Sequence, residues 1–259
     1  MHYPPVDEII ASLSNHELTG VQNWFDLEEV DFADQYKNEF ELKSNFPVTK
    51  QSIVELYENQ LKQLVDYGSE RTVQISHSVT EGSMSDNLPT ILERFRFAEG
   101  GDLAGIFIKA ILAQYKRRQW DRQIMDLRLV SSVIDRNMVL LEELATELVP
   151  GRSEREVLVK RCIFRHKGCV FVYSSSVPDQ VHEDEDSGRD DATRYTLLYQ
   201  IMCFKKVGTD LVMEQIKQIH FRDGHSERMM EQYLASANLK ALYWQQDLLE
   251  YVAQESLKN

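Results

Sequence analysis

The chain reads as an α+β protein: a curved antiparallel sheet wrapped around a long C-terminal helix, with extra helices toward the N-terminus. Two observations carry this. Between Trp120 and Phe221, apolar and polar residues alternate in run after run, separated by short turns such as Lys167-Gly168 and Gly208-Thr209-Asp210. Sequential strands joined by tight turns form an antiparallel meander. Past residue 225 the period becomes helical, with Met230, Tyr233, Ala237, Ala241, Trp244, Leu248 and Tyr251 on one stripe. A curved sheet that cannot close on itself must cover its concave face, and one long terminal helix is a natural cover.

The elements follow in order. Residues 1–49 read as an extension of irregular or short helical structure, broken at Pro4, Pro5 and Pro47. Residues 50–259 form the main domain. A helix from Lys50 to Tyr67 is capped by Thr49 and carries Ile53, Leu56, Tyr57, Leu61, Leu64 and Val65 on one face. Thr72–Val79 and Thr90–Phe97 alternate as strands. Gly100-Gly101 ends the second, and Asp102 caps a helix to Gln119 whose last turn holds Lys116, Arg117 and Arg118. Six strands are expected next: 125–134, 138–144, 155–166, 169–176, 193–207 and 211–221. The C-terminal helix runs over 226–254.

Composition narrows the function. A net charge of −13 excludes nucleic acid as a partner, because that binding needs clustered Lys and Arg. The charge is uneven: residues 1–50 hold three Lys against ten acids, while 109–136 hold seven bases against three acids. No run approaches ~18 apolar residues, so no segment is expected to span a membrane, and the N-terminus reads without a signal peptide. The three cysteines, Cys162, Cys169 and Cys203, form no dense disulfide pattern, which points to a reducing, cytoplasmic setting. The acidic run 181–191 reads as a solvated loop. Its spacing departs from a calcium loop, with Gly188 one place early and Tyr195 where an acid is needed.

Familiar catalytic patterns are missing. There is no Gly-rich phosphate loop and no GxSxG. Cys162-x3-His166-x2-Cys169 falls across a hairpin with opposite strand parity, so no metal is expected. His220, Arg222, Asp223 and His225 cluster without a nucleophile. Glu142 and Glu143 point to opposite faces of a strand and form no acid–base dyad. No cofactor is expected.

Certain residues carry a family likeness. Trp120-Asp121 stands at a helix-to-strand junction. Gly151-Arg152-Ser153-Glu154-Arg155-Glu156-Val157 is a loop leading into a strand that opens on an Arg-acid pair. Ser175-Ser176-Val177-Pro178 ends the next strand. In this order the segment from Asp102 to Pro178 resembles the START domain, a lipid-transfer module of the helix-grip superfamily. The resemblance implies a non-enzymatic protein that holds one phospholipid, sphingolipid or sterol in a tunnel beneath the C-terminal helix. It implies a gate made of that helix and the loop 145–154, transient contact with a membrane surface, and a peripheral location.

It also implies that Glu143 pairs with Arg155 inside the cavity. A two-residue period puts Leu141 with Glu143, and Arg155 with Val159 and Arg161, on shared faces. A surface ion pair is the competing reading. Arg161 is left for a polar head group. Met230, Tyr233, Ala237 and Trp244 line the helix side, or serve as ordinary core. Lys116, Arg117 and Arg118 meet anionic head groups, or simply complement the helix dipole. Two other functions stay open: an enzyme of the wider superfamily, cyclase-like or hydrolase-like, and a ligand-free interaction module whose cavity is filled by side chains such as Trp244. Residues 1–49 are available for a protein partner.

Overall fold

The computed structural model describes residues 50–64, 73–76, 88–134, 138–152, 154–176, 195–221 and 226–258. The expectations for residues 1–49, the Thr49 cap, the acidic run 181–191 and the 222–225 cluster lie outside them. Helix α1 spans Lys50–Leu64, followed by β1 (Val73–Ser76) and β2 (Thr90–Phe97). Helices α2 (Ala104–Leu112) and α3 (Gln114–Trp120) lead to a meander of β3 (Ile124–Ile134), β4 (Met138–Thr146), β5 (Arg155–His166), β6 (Cys169–Ser176), β7 (Tyr195–Val207) and β8 (Asp210–Phe221). Helix α4 (Ser226–Ser256) closes the chain. The expected order stands: helix, two strands, helix, six strands, long helix.

The expected helix over 102–119 is two helices. Ala113 takes extended angles (φ −77°, ψ 114°) and breaks it. Asp102 is not its cap; Leu103 occupies that position and makes no side-chain capping bond. Packing replaces the cap, since Phe107, Ile108, Ala110, Ile111 and Leu112 are all buried.

The eight strands form one antiparallel sheet in the order β1-β2-β8-β7-β6-β5-β4-β3. From β3 to β8 each strand pairs with its sequence neighbour. The exception is β2, which pairs with β8 in a register running from Ile91–Lys217 to Phe97–Leu211. This long-range pairing brings the first hairpin beside the last strand. The Lys167-Gly168 turn has positive φ at both residues (47° and 74°), the geometry that matches strand twist in a two-residue hairpin.

Two cores form, one on each face. On the convex side α1 lays Ile53, Val54 and Tyr57 against Leu92, Phe171, Tyr173, Ile201 and Ile216. The Tyr57 hydroxyl donates to buried Glu214, which also accepts from Arg94 Nε and Lys205 Nζ, each at 2.8 Å. On the concave side lies the larger core. There α4, 31 residues and about 46 Å long, presses Met230, Tyr233, Ala237, Ala241, Leu248 and Tyr251 toward Phe95, Val157, Val159, Met202, Met213 and Phe221. Each buried Val, Leu, Met or Phe side chain among them contributes roughly 1.5–3 kcal/mol. Among the described residues no helix is long and apolar enough to cross a membrane.

Gly101 marks a backbone approach between the α2 loop and the β7–β8 turn. Its N–H donates to the Thr209 carbonyl at 2.8 Å, and a Cβ there would stand 2.7 Å from that oxygen. Gly101→Ala is therefore expected to lower stability by about 1–3 kcal/mol, read as a reduced urea midpoint. An unchanged midpoint would show that this approach is not a constraint.

Candidate functional site

The sheet curls around α4 without filling all the space. A cavity of about 110 Å³ remains between them, room for about four waters at the ~30 Å³ each occupies in the liquid. Its walls come from the concave faces of β2, β4, β5, β7 and β8, the α3–β3 junction, the start of the β4–β5 loop, and α4. Strand parity decides what faces it. On β5 the residues Arg155, Val157, Val159 and Arg161 are buried while Glu156, Leu158 and Lys160 are half-buried, as the two-residue period requires.

The floor is polar. Arg161, Ser174, Gln200 and Lys217 are successive cross-strand partners on β5, β6, β7 and β8, so they form one row across the sheet. Arg161 Nε donates to Ser174 Oγ at 3.3 Å. In the neighbouring row Gln215 faces Glu93 of β2. Gln200 Nε2 donates to Gln215 Oε1 at 2.7 Å, Gln215 Nε2 donates to Glu93, and Lys217 Nζ reaches Glu93 Oε1 at 2.7 Å. Burial alone would lower the Lys217 pKa, but Glu93 and the Tyr233 side chain outweigh it and hold the ammonium above the ordinary lysine value.

The Trp-Asp pair forms the joint at one end. Trp120 Nε1 donates to the Ala110 carbonyl at 2.9 Å, and its ring meets Trp244 edge-on at 5.3 Å. Asp121 is 4% exposed and accepts from Arg117 Nε (3.1 Å), the Gln123 amide (3.2 Å) and Trp244 Nε1 (3.3 Å). One carboxylate thus ties α3, β3 and α4 together beside the cavity. Across from it, Lys240 of α4 donates to the carbonyls of Glu147 and Leu148 (3.1 Å for the latter), fastening the β4–β5 loop to the helix.

Of the residues singled out in the sequence, Val159, Arg161, Tyr233, Ala237 and Trp244 line the cavity. Met230 is buried in the surrounding core, and Arg155 is buried with its guanidinium 5.4 Å from the Phe221 ring. The cross-strand partner of Arg155 is Thr146, and that of Glu143 is Leu158. One residue of register exchanges the two faces of a strand. Glu143 therefore sits at the positions alternate to Arg155 and Val159, and the acid in line with Val159 is Glu142. Leu141, opposite Lys160, shares the Glu143 parity.

The basic run does not form one outward patch. Lys116 pairs with Glu255 of α4 at 2.5 Å, Arg117 faces the cavity, and Arg118 is exposed beside Asp126. Glu255 is held down to about 2 by its bonds from Lys116 and Lys258.

Sequence reasoning missed Glu93, Gln200, Gln215 and Lys217. A signal existed: in 90–97 and 210–221 these polar residues share the parity of Ile91, Phe95, Met213 and Ile219, the buried side. The bulge between Leu197 and Tyr199 hid the parity of β7.

No family model matches the sequence, and no curated protein matches it significantly. Solved structures do match. Human STARD10 aligns at TM-score 0.56 and 15% identity, covering 91% of this chain and 86% of its own. Human StAR-related lipid transfer protein 5 aligns at 0.56 and 11%, covering 80% and 97%. The lipid transfer and protein localization domain of human StarD13 aligns at 0.51 and 16%, covering 76% and 95%. The chain has the START fold: a helix-grip sheet closed by a C-terminal helix.

Removing one partner of the Glu93–Lys217 pair strands a buried charge. Glu93→Ala is expected to cost about 3–5 kcal/mol, and the double change Glu93→Leu with Lys217→Met to recover most of it; chemical denaturation of both variants checks this. For Lys240, burial pushes the ammonium down to about 8, with Lys217 adding repulsion. Its folded value lies below the unfolded one, so folding disfavours the charged form. Stability is expected to rise as pH climbs from about 8 through the ordinary lysine range. Lysine-resolved NMR titration checks the midpoint, and Lys240→Met should flatten that limb of the stability curve.

Proposed function

We propose that this protein binds one hydrophobic ligand, a phospholipid, sphingolipid or sterol, between the concave sheet and α4, without catalysing a reaction. The observation that carries the reading is the cavity itself. It joins an apolar half, including Phe95, Val159, Met202, Met213 and Ile219, to a polar floor. That combination suits an amphiphile, since each methylene withdrawn from water contributes ~0.8 kcal/mol while the polar end needs hydrogen bonds. Pockets for drug-sized ligands run to ~300–1,000 Å³. At about 110 Å³ the space seats a head group, and entry of a whole lipid requires α4 and the β4–β5 loop to separate. The Lys240 bonds to that loop are the contacts that must break. The ligand is exchanged at a membrane surface by a cytoplasmic, peripherally associating protein, and residues 1–49 are available to a protein partner.

Native mass spectrometry of the purified chain after incubation with mixed liposomes is expected to show one added lipid mass. Ala237→Phe, which fills the cavity from α4, should reduce the lipid-bound fraction about tenfold or more and cost at most about 1–3 kcal/mol of stability. A wild-type spectrum with no adduct in any lipid mixture would refute the carrier reading.

A further inference from the structure

Among the described lining residues cations outnumber acids, although acids outnumber bases in the chain as a whole. The protein carries 42 acidic residues against 29 Lys and Arg. Yet the described lining holds four cations, Arg117, Arg161, Lys217 and Lys240, against three acids, Glu93, Asp121 and Glu147. The acids are committed elsewhere. Glu93 accepts from Lys217 and Gln215, and Asp121 accepts from Arg117 and Trp244. Glu147 turns its carboxylate to the Gly151 amide in its own loop, at 2.7 Å.

Lys240 differs from the other lining lysine. Its ammonium meets backbone carbonyls, and no carboxylate of the described residues stands within ion-pair distance. Beside it the β4–β5 loop begins at Thr146, which is 8% exposed. The Thr146 hydroxyl lies next to Tyr195, yet Thr146 Oγ1 completes no hydrogen bond. An orphaned buried hydroxyl is costly, so a ligand oxygen that satisfies it gains accordingly. Thr146, Lys240 and the buried guanidinium of Arg161 all line the same space.

Resting on the lipid-binding reading above, we infer that the ligand enters with an anionic oxygen-bearing group, a carboxylate or a phosphate monoester, seated against Lys240, Thr146 and Arg161. The floor then supplies donors to oxygens, and the apolar half receives the chain. A head group ending in a quaternary ammonium finds no uncommitted carboxylate among the described lining residues.

The test compares four probes of one chain length: palmitate, a palmitoyl glycerol phosphate monoester, hexadecanol and palmitoyl lysophosphatidylcholine. Binding is read below micellar concentration by native mass spectrometry and titration calorimetry. At least one anionic probe is expected to bind about tenfold or more tighter than hexadecanol, the size of a charge-assisted hydrogen bond. Whichever anion does so identifies the source of the charge. Lys240→Gln should cut the anion-to-alcohol affinity ratio about tenfold, Lys240→Arg should keep it, and Thr146→Val should lower it about threefold. Equal binding of alcohol, choline-headed and anionic probes overturns the charge assignment and leaves the lipid reading standing. Failure of all four to bind overturns both.

Discussion

Everything in this molecule follows from an antiparallel sheet that curls but does not close. Such a sheet has two faces, and each demands its own cover. The convex face is met by α1, one short helix whose Tyr57 is bonded to buried Glu214. The concave face is met by α4, a helix of 31 residues. A helix is straight and a curled sheet is not. Close packing is reached where large side chains fill the gap, as Phe221 and Tyr233 do at 6.1 Å between centroids. Where small residues such as Ala237 and Ala241 face the sheet instead, space is left over.

That space is kept polar at a cost the structure offsets locally. Buried polar networks stabilise only when every member is satisfied. The chain Gln200–Gln215–Glu93–Lys217 meets this condition within the sheet, because its members are adjacent across β7, β8 and β2. The β2–β8 pairing therefore has two roles: it joins the first hairpin to the meander, and it brings Glu93 to Lys217. Asp121 does the equivalent at the other end, where one carboxylate gathers Arg117, Gln123 and Trp244.

On the α4 side, single lysines make polar contacts between elements. The β4–β5 loop is fastened to α4 by Lys240 through two carbonyls, and α3 by Lys116 through Glu255. Among the described residues no carboxylate stands within ion-pair distance of the Lys240 ammonium, so burial disfavours its charged form.

Periodicity alone determined most of the architecture. The strands 90–97, 155–166 and 169–176 and the α4 stripe were legible because local alternation and helical repeat follow directly from burial on one face. The shared face of Arg155, Val159 and Arg161 was legible for the same reason, and the Trp120-Asp121 joint through its resemblance to the START pattern. The break at Ala113 was not, since an apolar stripe continues through it. Nor was the cross-strand partner of Arg155: the register set by the β4–β5 loop puts Thr146 opposite it. The row Arg161–Ser174–Gln200–Lys217 comes from four strands up to 56 positions apart, and Glu93 reaches it only through a long-range pairing. Local sequence determines which face a residue occupies; only the folded sheet decides which residues that face brings together.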